Sequence, residues 1–490
     1  MSTGLRPVPE PHTTRGIVIG GSLVGMLAAA ALRPFVDEVL VLERHDLPAE
    51  PAARQGVPQA RHVHTLWSNG AEAIDLLALG ATERLLSLGA RRLALPADLV
   101  ALSPAGWYRR WPETHHLITC SRDLLDWVVR EQVLMEDADA QISVHPKVEV
   151  LGLRRWADRV TGVRVRRADG AYADLDADFV VDASGRASRA PQWLAEIGVA
   201  QAPAREVDAG LAYASRLYQA PSGSDAFPGL AVQADPLARR PGRSGTLIPI
   251  EGGRWLVSLA GTRGGEPPAD PGMFESFARS LRHPVIADAL AAAEPISDVS
   301  VTRCTGNRRH FFERVKAWPD GFVVLGDAVA AYNPLYGQGM SVAALAALAL
   351  RTTLCDGGVR FPGVAQRAQR AIATPVLAAW SLATSQDVLY PAATGRSPGL
   401  IDYAAARYVR RVAYAATGRA SIATRVTRVL TQERCAAHLL TPTAALSVLR
   451  GPLLPPLDAP PLTEKECELL AHRRGKTSSR TASEEAATDR

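Results

Sequence analysis

GFVVLGDAVAAYNPLYGQGM, residues 321–340, joins an apolar run to a glycine-containing loop and the start of a further helix. Its apolar run, 322–325, is short and β-rich enough for a buried parallel strand. Asp327 would follow the carboxyl end of that strand, where open α/β sheets bind ligands and where a carboxylate can accept hydrogen bonds from ribityl hydroxyls. Gly337 and Gly339 permit close approach of a ring, and the next helix N-terminus favours an anionic reduced flavin. The alternative is an ordinary strand–turn–helix corner with a capping aspartate.

A second motif, GGSLVG at residues 20–25, is typical of dinucleotide binding. Gly20 and Gly25 match the outer glycines of G-x-G-x-x-G, while Ser22 replaces the middle one. The motif follows an apolar strand and opens an apolar helix, and Glu43 ends the next strand about 20 residues on, as ribose recognition requires. An acid here disfavours a 2′-phosphate, so FAD or NAD is expected rather than NADP. The alternative for Glu43 is a solvated strand end.

Only one such fingerprint occurs in the sequence, so separate FAD and NAD domains are not expected. FAD is long enough to extend from Gly20 to Asp327, which predicts that these two segments converge in space.

Composition narrows the functional classes. The chain has 490 residues, 47% of them hydrophobic and 21% charged, which are values of a globular protein with more than one domain or one large domain. Its net charge of +5 comes almost entirely from arginine without a Lys/Arg block, so no nucleic acid is expected. No apolar run reaches the roughly 18 residues of a membrane span. The five cysteines are widely spaced and the N-terminus lacks a signal core, which predicts a reduced, cytoplasmic protein.

Three motifs together carry a family resemblance: GGSLVG with Glu43, DASGRASR at 182–189 and GDAVAAYNPLYGQGM at 326–340. They resemble the FAD-dependent monooxygenases of the para-hydroxybenzoate hydroxylase fold, and the resemblance extends from Gly16 to about Pro461. It implies that the first motif holds the ADP half, that the second lies near the flavin and pyrophosphate, and that the third holds ribityl and isoalloxazine. The sequence departs from the common Asp-Gly form of the second motif, because Ala183-Ser184 separates Asp182 from Gly185.

A narrower resemblance rests on RQGVPQARHVHTLWSNGA (54–71), CSRDLLD (120–126), IPIEGGRWLVSLAGTRG (248–264) and NRRHFFERVKAWPDG (307–321). These segments are similar to the flavin epoxidases of polyether antibiotic biosynthesis, such as those acting on the monensin and lasalocid precursors. The resemblance implies transfer of one oxygen from an FAD C4a-hydroperoxide to alkenes of a linear polyene polyketide, without a protein base. NAD(P)H or a separate flavin reductase would supply electrons, and the substrate would arrive free or on an acyl carrier protein.

The local patterns and the resemblance predict an α/β fold: a Rossmann-like FAD domain with an inserted antiparallel β-sheet substrate domain and a helical C-terminal region. The predicted boundaries are 15–90, 115–200 and 301–400 for the FAD-binding domain, 91–114 and 201–300 for the substrate domain, 401–472 for the helical region and 473–490 for a disordered tail.

Site residues follow from the same motifs. The residues expected to bind FAD are Gly20, Gly21, Ser22, Gly25, Glu43, Arg44, Arg54, Arg61, Arg122, Asp182, Gly326, Asp327, Pro334, Gly337, Gly339 and Met340. By resemblance Arg54 and Arg122 contact FAD, with surface ion pairs as the alternative; a ligand anion would explain an arginine at the start of a helix. The aromatic residues expected to line an apolar substrate pocket, with the core as the alternative, are Trp67, Trp107, Tyr213, Phe227 and Trp255.

Other chemistries fit the sequence less well. His62 and His64 lack a carboxylate or cysteine cluster that would complete a metal site, so no metal is expected. A flavin halogenase should show Trp-x-Trp-x-Ile-Pro and a catalytic lysine, whereas WYRRWP at 107–112 does not match and lysine is nearly absent. The alternatives left open are another FAD hydroxylase, a C=C reductase of the geranylgeranyl reductase type and a non-catalytic flavoprotein.

Overall fold

A five-stranded parallel sheet lies at the centre of the fold in the computed structural model, which describes residues 13–56, 58–303 and 305–471. In spatial order its strands are Phe322–Val324, Phe179–Asp182, Arg15–Ile19, Glu38–Leu42 and Ile142–His145. The predicted strands at 16–19, 38–42, 179–181 and 322–325 are confirmed to within a residue. The predicted tail, 473–490, lies outside the described residues.

This sheet also fixes where a ligand can bind. The chain builds outward from Arg15–Ile19 in one direction and returns to add Phe179–Asp182 and Phe322–Val324 on the other side. The strand order therefore reverses beside Arg15–Ile19, and a crevice opens beyond the carboxyl ends of these strands. Gly20 and Gly326 both follow strands that end at this crevice.

Helices cover the parallel sheet and extend the chain beyond it. Leu23–Leu32 is buried along nearly its whole length, and it packs against Gly339–Leu354 and Arg122–Met135. The α-helices in the described part of the chain are Leu23–Leu32, Ser68–Leu77, Ala81–Ser87, Arg122–Met135, Ala190–Glu196, Pro271–Arg279, Val285–Ala291, Gly339–Leu354, Val364–Asp387, Leu400–Gly418, Ala420–Leu430, Pro442–Arg450 and Glu464–Ala471.

A large, mainly antiparallel sheet forms a second layer. Its strands in spatial order are Glu294–Pro295, Ala212–Gln219, Arg254–Gly261, Arg243–Ile250, Gly229–Val232, Leu99–Ser103 and Gly106–Trp107, with Ser300–Thr302 paired to Ala212–Gln219. One face packs on helices Pro271–Arg279 and Val285–Ala291. The opposite face carries smaller residues, including Ser244, Ser258 and Ala260, and borders a cavity.

Three small sheets connect these layers. Their strands are Thr65–Trp67 with His115–Thr119 and Arg91–Leu95; Glu149–Trp156 with Arg159–Arg166 and Tyr172–Asp176; and Ala204–Val207 with Asn307–His310 and Ala330–Ala331. Residues 91–114 are therefore divided between two sheets, because Arg91–Leu95 pairs with His115–Thr119 while Leu99–Ser103 joins the large sheet.

Side chains and one glycine set several helix ends. Ser121 caps its helix by accepting a hydrogen bond from the Leu124 amide at 3.2 Å. Thr463 and Glu466 form a reciprocal capping box. The helices Ser68–Leu77 and Ala81–Ser87 are separate, because Gly80 between them is left-handed. Within the described ranges, no helix has both the length and the apolar character needed to cross a membrane.

Candidate functional site

The loop after the first strand packs tightly against the helix that it opens. A Cβ at Gly25 would lie 1.7 Å from the Gly20 carbonyl oxygen, so only glycine fits there. Ser22 is the N-cap of helix Leu23–Leu32, yet its hydroxyl accepts no capping hydrogen bond. Among the described residues no side chain caps the first amides of this helix, and an uncapped helix start beside a hydroxyl suits a phosphate.

Glu43 lies at the end of the adjacent strand and is only 8% exposed. Its Oε2 atom accepts hydrogen bonds from the Gly21 amide at 2.8 Å and from Arg54 at 3.1 Å, and Oε1 accepts one from the His45 amide at 2.9 Å. Arg54 also donates to the Gly21 carbonyl at 3.2 Å. Glu43 is therefore a fixed, buried carboxylate at the glycine loop rather than a solvated strand end.

The two arginines implied by the resemblance are buried beside a shared acid. The side chains of Arg54 and Arg122 are 5% and 11% exposed, and both approach Asp126, at 3.8 and 2.9 Å. Neither is a surface ion pair. Arg122 does not need a ligand anion to explain its place at a helix start, since Asp126 one turn on neutralises it. The Nε of Arg54 is buried and has no hydrogen-bond partner among the described residues.

Three further residues of the predicted FAD site differ widely in burial. Arg44 and Arg61 are exposed. Asp182 is fully buried, and its carboxylate accepts hydrogen bonds from the Ser184 amide at 2.9 Å, the Ser184 hydroxyl at 2.5 Å and the Ser188 hydroxyl at 2.6 Å. Asp182 therefore holds the turn of the second motif together, with both of its oxygens committed to that turn.

Asp327 meets the glycine loop through the turn that carries it. A Cβ at Gly326 would lie 2.9 Å from a methyl carbon of Val24, so the turn rests on the first helix. The Asp327 carboxylate is half-buried and accepts no hydrogen bond from the described residues. Burial raises its pKa, and the nearby Arg186, Arg122 and Arg308 oppose that shift.

The rest of the third motif forms an open shelf at the start of helix Gly339–Leu354. Pro334–Tyr336 is a 3₁₀ turn, and the Gly337 carbonyl accepts a hydrogen bond from the Trp67 indole at 3.1 Å. Met340 is buried, whereas a Cβ at Gly339 would meet no atom within 4 Å. A free carboxylate, a free hydroxyl at a helix start and an open glycine face thus lie along one crevice, and these groups fit an extended FAD molecule.

A cavity of about 240 Å³ adjoins this shelf. It lies between the large sheet, the Pro334–Tyr336 turn and helices Leu400–Gly418 and Ala420–Leu430. The residues that line it are Val63, Thr65, Trp67, Leu93, Leu95, Pro96, Leu99, Ala101, Tyr108, Leu117, Tyr213, Ala231, Gln233, Ser244, Gly245, Thr246, Ile248, Ser258, Ala260, Pro334, Leu335, Tyr336, Gly337, Ala416, Ala423, Val426, Thr427 and Leu430. No Asp, Glu, His, Lys or Arg belongs to this set.

Of the five aromatic residues expected to line a substrate pocket, two border this cavity and three do not. Trp67 and Tyr213 line the cavity. Trp107, Phe227 and Trp255 instead pack in the core on the far face of the large sheet, with the rings of Phe227 and Trp255 4.7 Å apart. The reason is strand periodicity, because alternate residues point to opposite faces: Ser258 faces the cavity and Trp255 faces the helices.

A buried polar network behind the turn was not predicted. Asp387, 1% exposed, accepts hydrogen bonds from Asn307 at 2.6 Å, Asn333 at 2.9 Å and the Tyr336 hydroxyl at 3.0 Å. Asn333 in turn accepts one from the Tyr213 hydroxyl at 3.2 Å. Burial and the charge of Asp387 hold the pKa values of Tyr213 and Tyr336 well above the usual range. Both phenol protons therefore point away from the cavity.

The His62-x-His64 pair is structural in its contacts. His62 bonds to Ser215 at 2.7 Å, and His64 bonds to the carbonyl of His62 at 2.7 Å. Burial lowers the pKa of His62 to about 4 and that of His64 to about 3, the latter with help from Arg122. Over the ranges that the structure describes, no group of three His, Cys, Asp or Glu residues is placed to hold a metal ion.

The FAD-binding domain family matches residues 13–356, and the chain belongs to that family. Its fold is a mixed α/β fold with a Rossmann-like FAD-binding domain. The family assignment supports FAD as the ligand of the crevice.

Sequence and structure comparisons find relatives across most of the chain. Protein Rv3254 of Mycobacterium tuberculosis is 31% identical over 403 residues, which cover 80% of this chain and 83% of the relative. The flavin-dependent brominase Bmp2 has a TM-score of 0.61 at 15% identity, covering 89% of this chain and all of that one. PqsL of Pseudomonas aeruginosa, a probable FAD-dependent monooxygenase, has a TM-score of 0.57 at 18% identity, covering 80% of this chain and 99% of that one.

Replacing Asp327 with alanine is expected to weaken FAD retention roughly ten- to a hundredfold, because a charge-assisted acceptor for ligand hydroxyls is lost. The ratio of flavin to protein absorbance after gel filtration measures this. Asp327→Asn, which keeps an acceptor oxygen, should retain more FAD than Asp327→Ala. Equal flavin content in wild type and both variants would remove Asp327 from the site.

Two glycine variants should separate packing from ligand contact. Gly25→Ala is expected to cost about 3 kcal/mol of stability, since its Cβ would clash with a backbone carbonyl. Gly339→Ala should leave the melting temperature of the FAD-free protein unchanged or raised, because its Cβ enters open space and alanine favours helix. It should nevertheless bind FAD less tightly in a fluorescence titration. If Gly339→Ala binds FAD as tightly as the wild type does, the flavin ring does not lie on this shelf.

Proposed function

We propose that this protein is a flavin-dependent epoxidase that adds one oxygen atom to alkenes of a linear polyene polyketide. The observation that carries the proposal is the cavity beside the Pro334–Tyr336 turn, which has mainly apolar walls and no ionisable carboxylate, amine, guanidinium or imidazole. The sequence resemblance to polyether epoxidases supports the choice of substrate. The broader class, an FAD-dependent monooxygenase, is supported by the family and by the fold shared with proteins such as PqsL.

The balance of the reaction shows what the protein must do. When bound, FAD supplies the electrons and the oxygen activation. One atom of O2 enters the substrate, where the alkene π bond is replaced by two C–O bonds. The other oxygen atom leaves as water with two protons. The two electrons reach FAD either directly from NAD(P)H or through a separate flavin reductase. An alkene has no acidic proton to lose, so no protein base is required.

The cavity residues suit an apolar, uncharged substrate. Trp67, Leu95 and Leu117 provide apolar walls, and Ala416 and Leu430 from the C-terminal helices close the side opposite the sheet. Burying an alkene chain among such residues excludes water and fixes the face of the double bond. The phenol protons of Tyr213 and Tyr336 are held by Asn333 and Asp387, so these tyrosines provide shape rather than acid catalysis.

Halogenation fits the cavity less well, although a brominase shares the fold. No lysine lines the cavity, and Lys147, Lys316 and Lys465 are all exposed on the surface. Reduction of a C=C bond and non-catalytic FAD binding make no demand on the cavity that distinguishes them from epoxidation. They are therefore separated by the products of the reaction.

Delivery of the substrate by an acidic acyl carrier protein is part of the proposal. Residues 400–450, which include two helices bordering the cavity, carry eight arginines and only two acidic residues, Asp402 and Glu433. Arg407, Arg411 and Arg450 are exposed on this region. A basic surface of this kind attracts an acidic partner at low ionic strength.

Supplied with a flavin reductase, NADH and ¹⁸O2, the holoenzyme should convert a polyene polyketide to products that are heavier by one ¹⁸O per reacting alkene. Mass spectrometry and NMR would identify the epoxide. A product that gains two hydrogens and no oxygen would identify a reductase. Absence of any product with protein that retains FAD, tested with free and carrier-bound polyenes, would favour a binding role.

The rate of oxygen insertion should not change between about pH 6 and about pH 8, measured in single turnovers of pre-reduced enzyme. His62 and His64 are neutral throughout this range because burial lowers their pKa values to about 4 and about 3. Tyr213 and Tyr336 keep their protons because burial raises theirs. A sigmoidal profile with a midpoint in this range would reveal an acid or base that the cavity does not show.

A further inference from the structure

Three hydroxyl groups lie side by side across the large sheet. In the strand registers Ser215 is paired with Ser258, and Ser258 is paired with Thr246 on its other side. Residues paired in this way point to the same face of a sheet. Ser258 and Thr246 both line the cavity. We call Ser215, Ser258 and Thr246 the hydroxyl row.

The inner end of the hydroxyl row is fully bonded. His62, 2% exposed, contacts the Ser215 hydroxyl at 2.7 Å, and the Ser215 and Ser258 hydroxyls are 2.5 Å apart. Ser258 also accepts a hydrogen bond from the Val63 amide at 2.8 Å. When Nδ1 of His62 carries its proton, donation runs from His62 to Ser215 to Ser258, and the Ser258 proton is left to point into the cavity.

The outer end of the hydroxyl row is open. The hydroxyl of Thr246 forms no hydrogen bond with any described residue and borders the cavity. A polar group that faces a mainly apolar cavity without a partner favours a ligand that supplies one.

We propose that the hydroxyl row binds an oxygen substituent of the substrate, a carbonyl or a hydroxyl, and so sets which alkene of the chain lies at the Pro334–Tyr336 turn. This inference rests on the proposed function for the identity of the reaction, but not for the binding of the oxygen atom. It selects an oxygenated polyene over a pure hydrocarbon, because a hydrocarbon would leave the Ser258 proton without an acceptor and the Thr246 hydroxyl without a partner.

The test compares two probes that differ in one atom. Geranylacetone, a ketone with two alkenes, and its isostere in which a CH2 group replaces the carbonyl oxygen are titrated into the FAD-loaded full chain by calorimetry. The ketone is expected to bind roughly three- to tenfold more tightly than the hydrocarbon. Because no turnover is needed, failure of oxygen insertion would leave this result intact. A ketone that binds no more tightly than its isostere overturns the proposal.

Variants then locate the effect. Thr246→Val preserves shape and should reduce the preference for the ketone, as should Ser258→Ala, while the affinity for the hydrocarbon stays within about twofold. Ser258→Ala also leaves the Val63 amide without its hydrogen-bond acceptor, so the melting temperature and FAD content of this variant are measured as well. If Ser258→Ala proves unstable, the result with Thr246→Val decides the test. Ser244→Ala removes a hydroxyl from the same wall outside the row and should keep the preference. Equal losses for both probes, or the same loss in Ser244→Ala, overturn the assignment.

Discussion

The close contact between Gly25 and the carbonyl of Gly20 fixes the first helix against the glycine loop. It lets the helix Leu23–Leu32 begin directly over the end of the central strand. That helix in turn supports Gly326 through Val24, and it packs along Gly339–Leu354. A side chain at position 25 would push the helix away and separate the glycine loop from Asp327. The glycine loop and the Asp327 turn lie about three hundred residues apart in sequence. They share one crevice because position 25 is glycine, whose hydrogen atom fits where the methyl group of an alanine would not.

The large sheet performs two tasks with one set of strands. Its far face packs bulky residues such as Trp255 and Leu259 against two helices, which anchors the sheet. Its near face carries Ser258 and Ala260, and these small side chains leave room for a cavity. The volume of the cavity thus depends on the small residues Ser258 and Ala260. The large residues that alternate with them anchor the sheet to the helices.

Sequence reasoning predicted the central sheet and the place of the glycine loop between its first strand and first helix, because these depend on short segments. Each strand end and turn there is encoded by residues within about ten positions of one another. The cavity was harder, because its walls come from segments between Val63 and Leu430 and no local pattern marks the helices that close it. The sequence also did not show which face of the strands Arg243–Ile250 and Arg254–Gly261 packs on the helices. For Asp182 and Arg122, the partners Ser188 and Asp126 were near in sequence, yet only coordinates show that they are bonded.

The Asp387 network explains how a mainly apolar cavity can be held in a defined shape. Asp387 fixes Asn333 and Tyr336 from a helix end behind the turn, so the polar contacts that position the turn lie outside the cavity. A buried carboxylate with several donors around it is costly to disturb, which makes such a network rigid. The two tyrosines can then present ring faces to the substrate while their hydroxyls are bonded elsewhere. This arrangement suits a reaction in which the cofactor supplies the chemistry, because the protein contributes orientation and exclusion of water without placing a competing acid or base in the cavity.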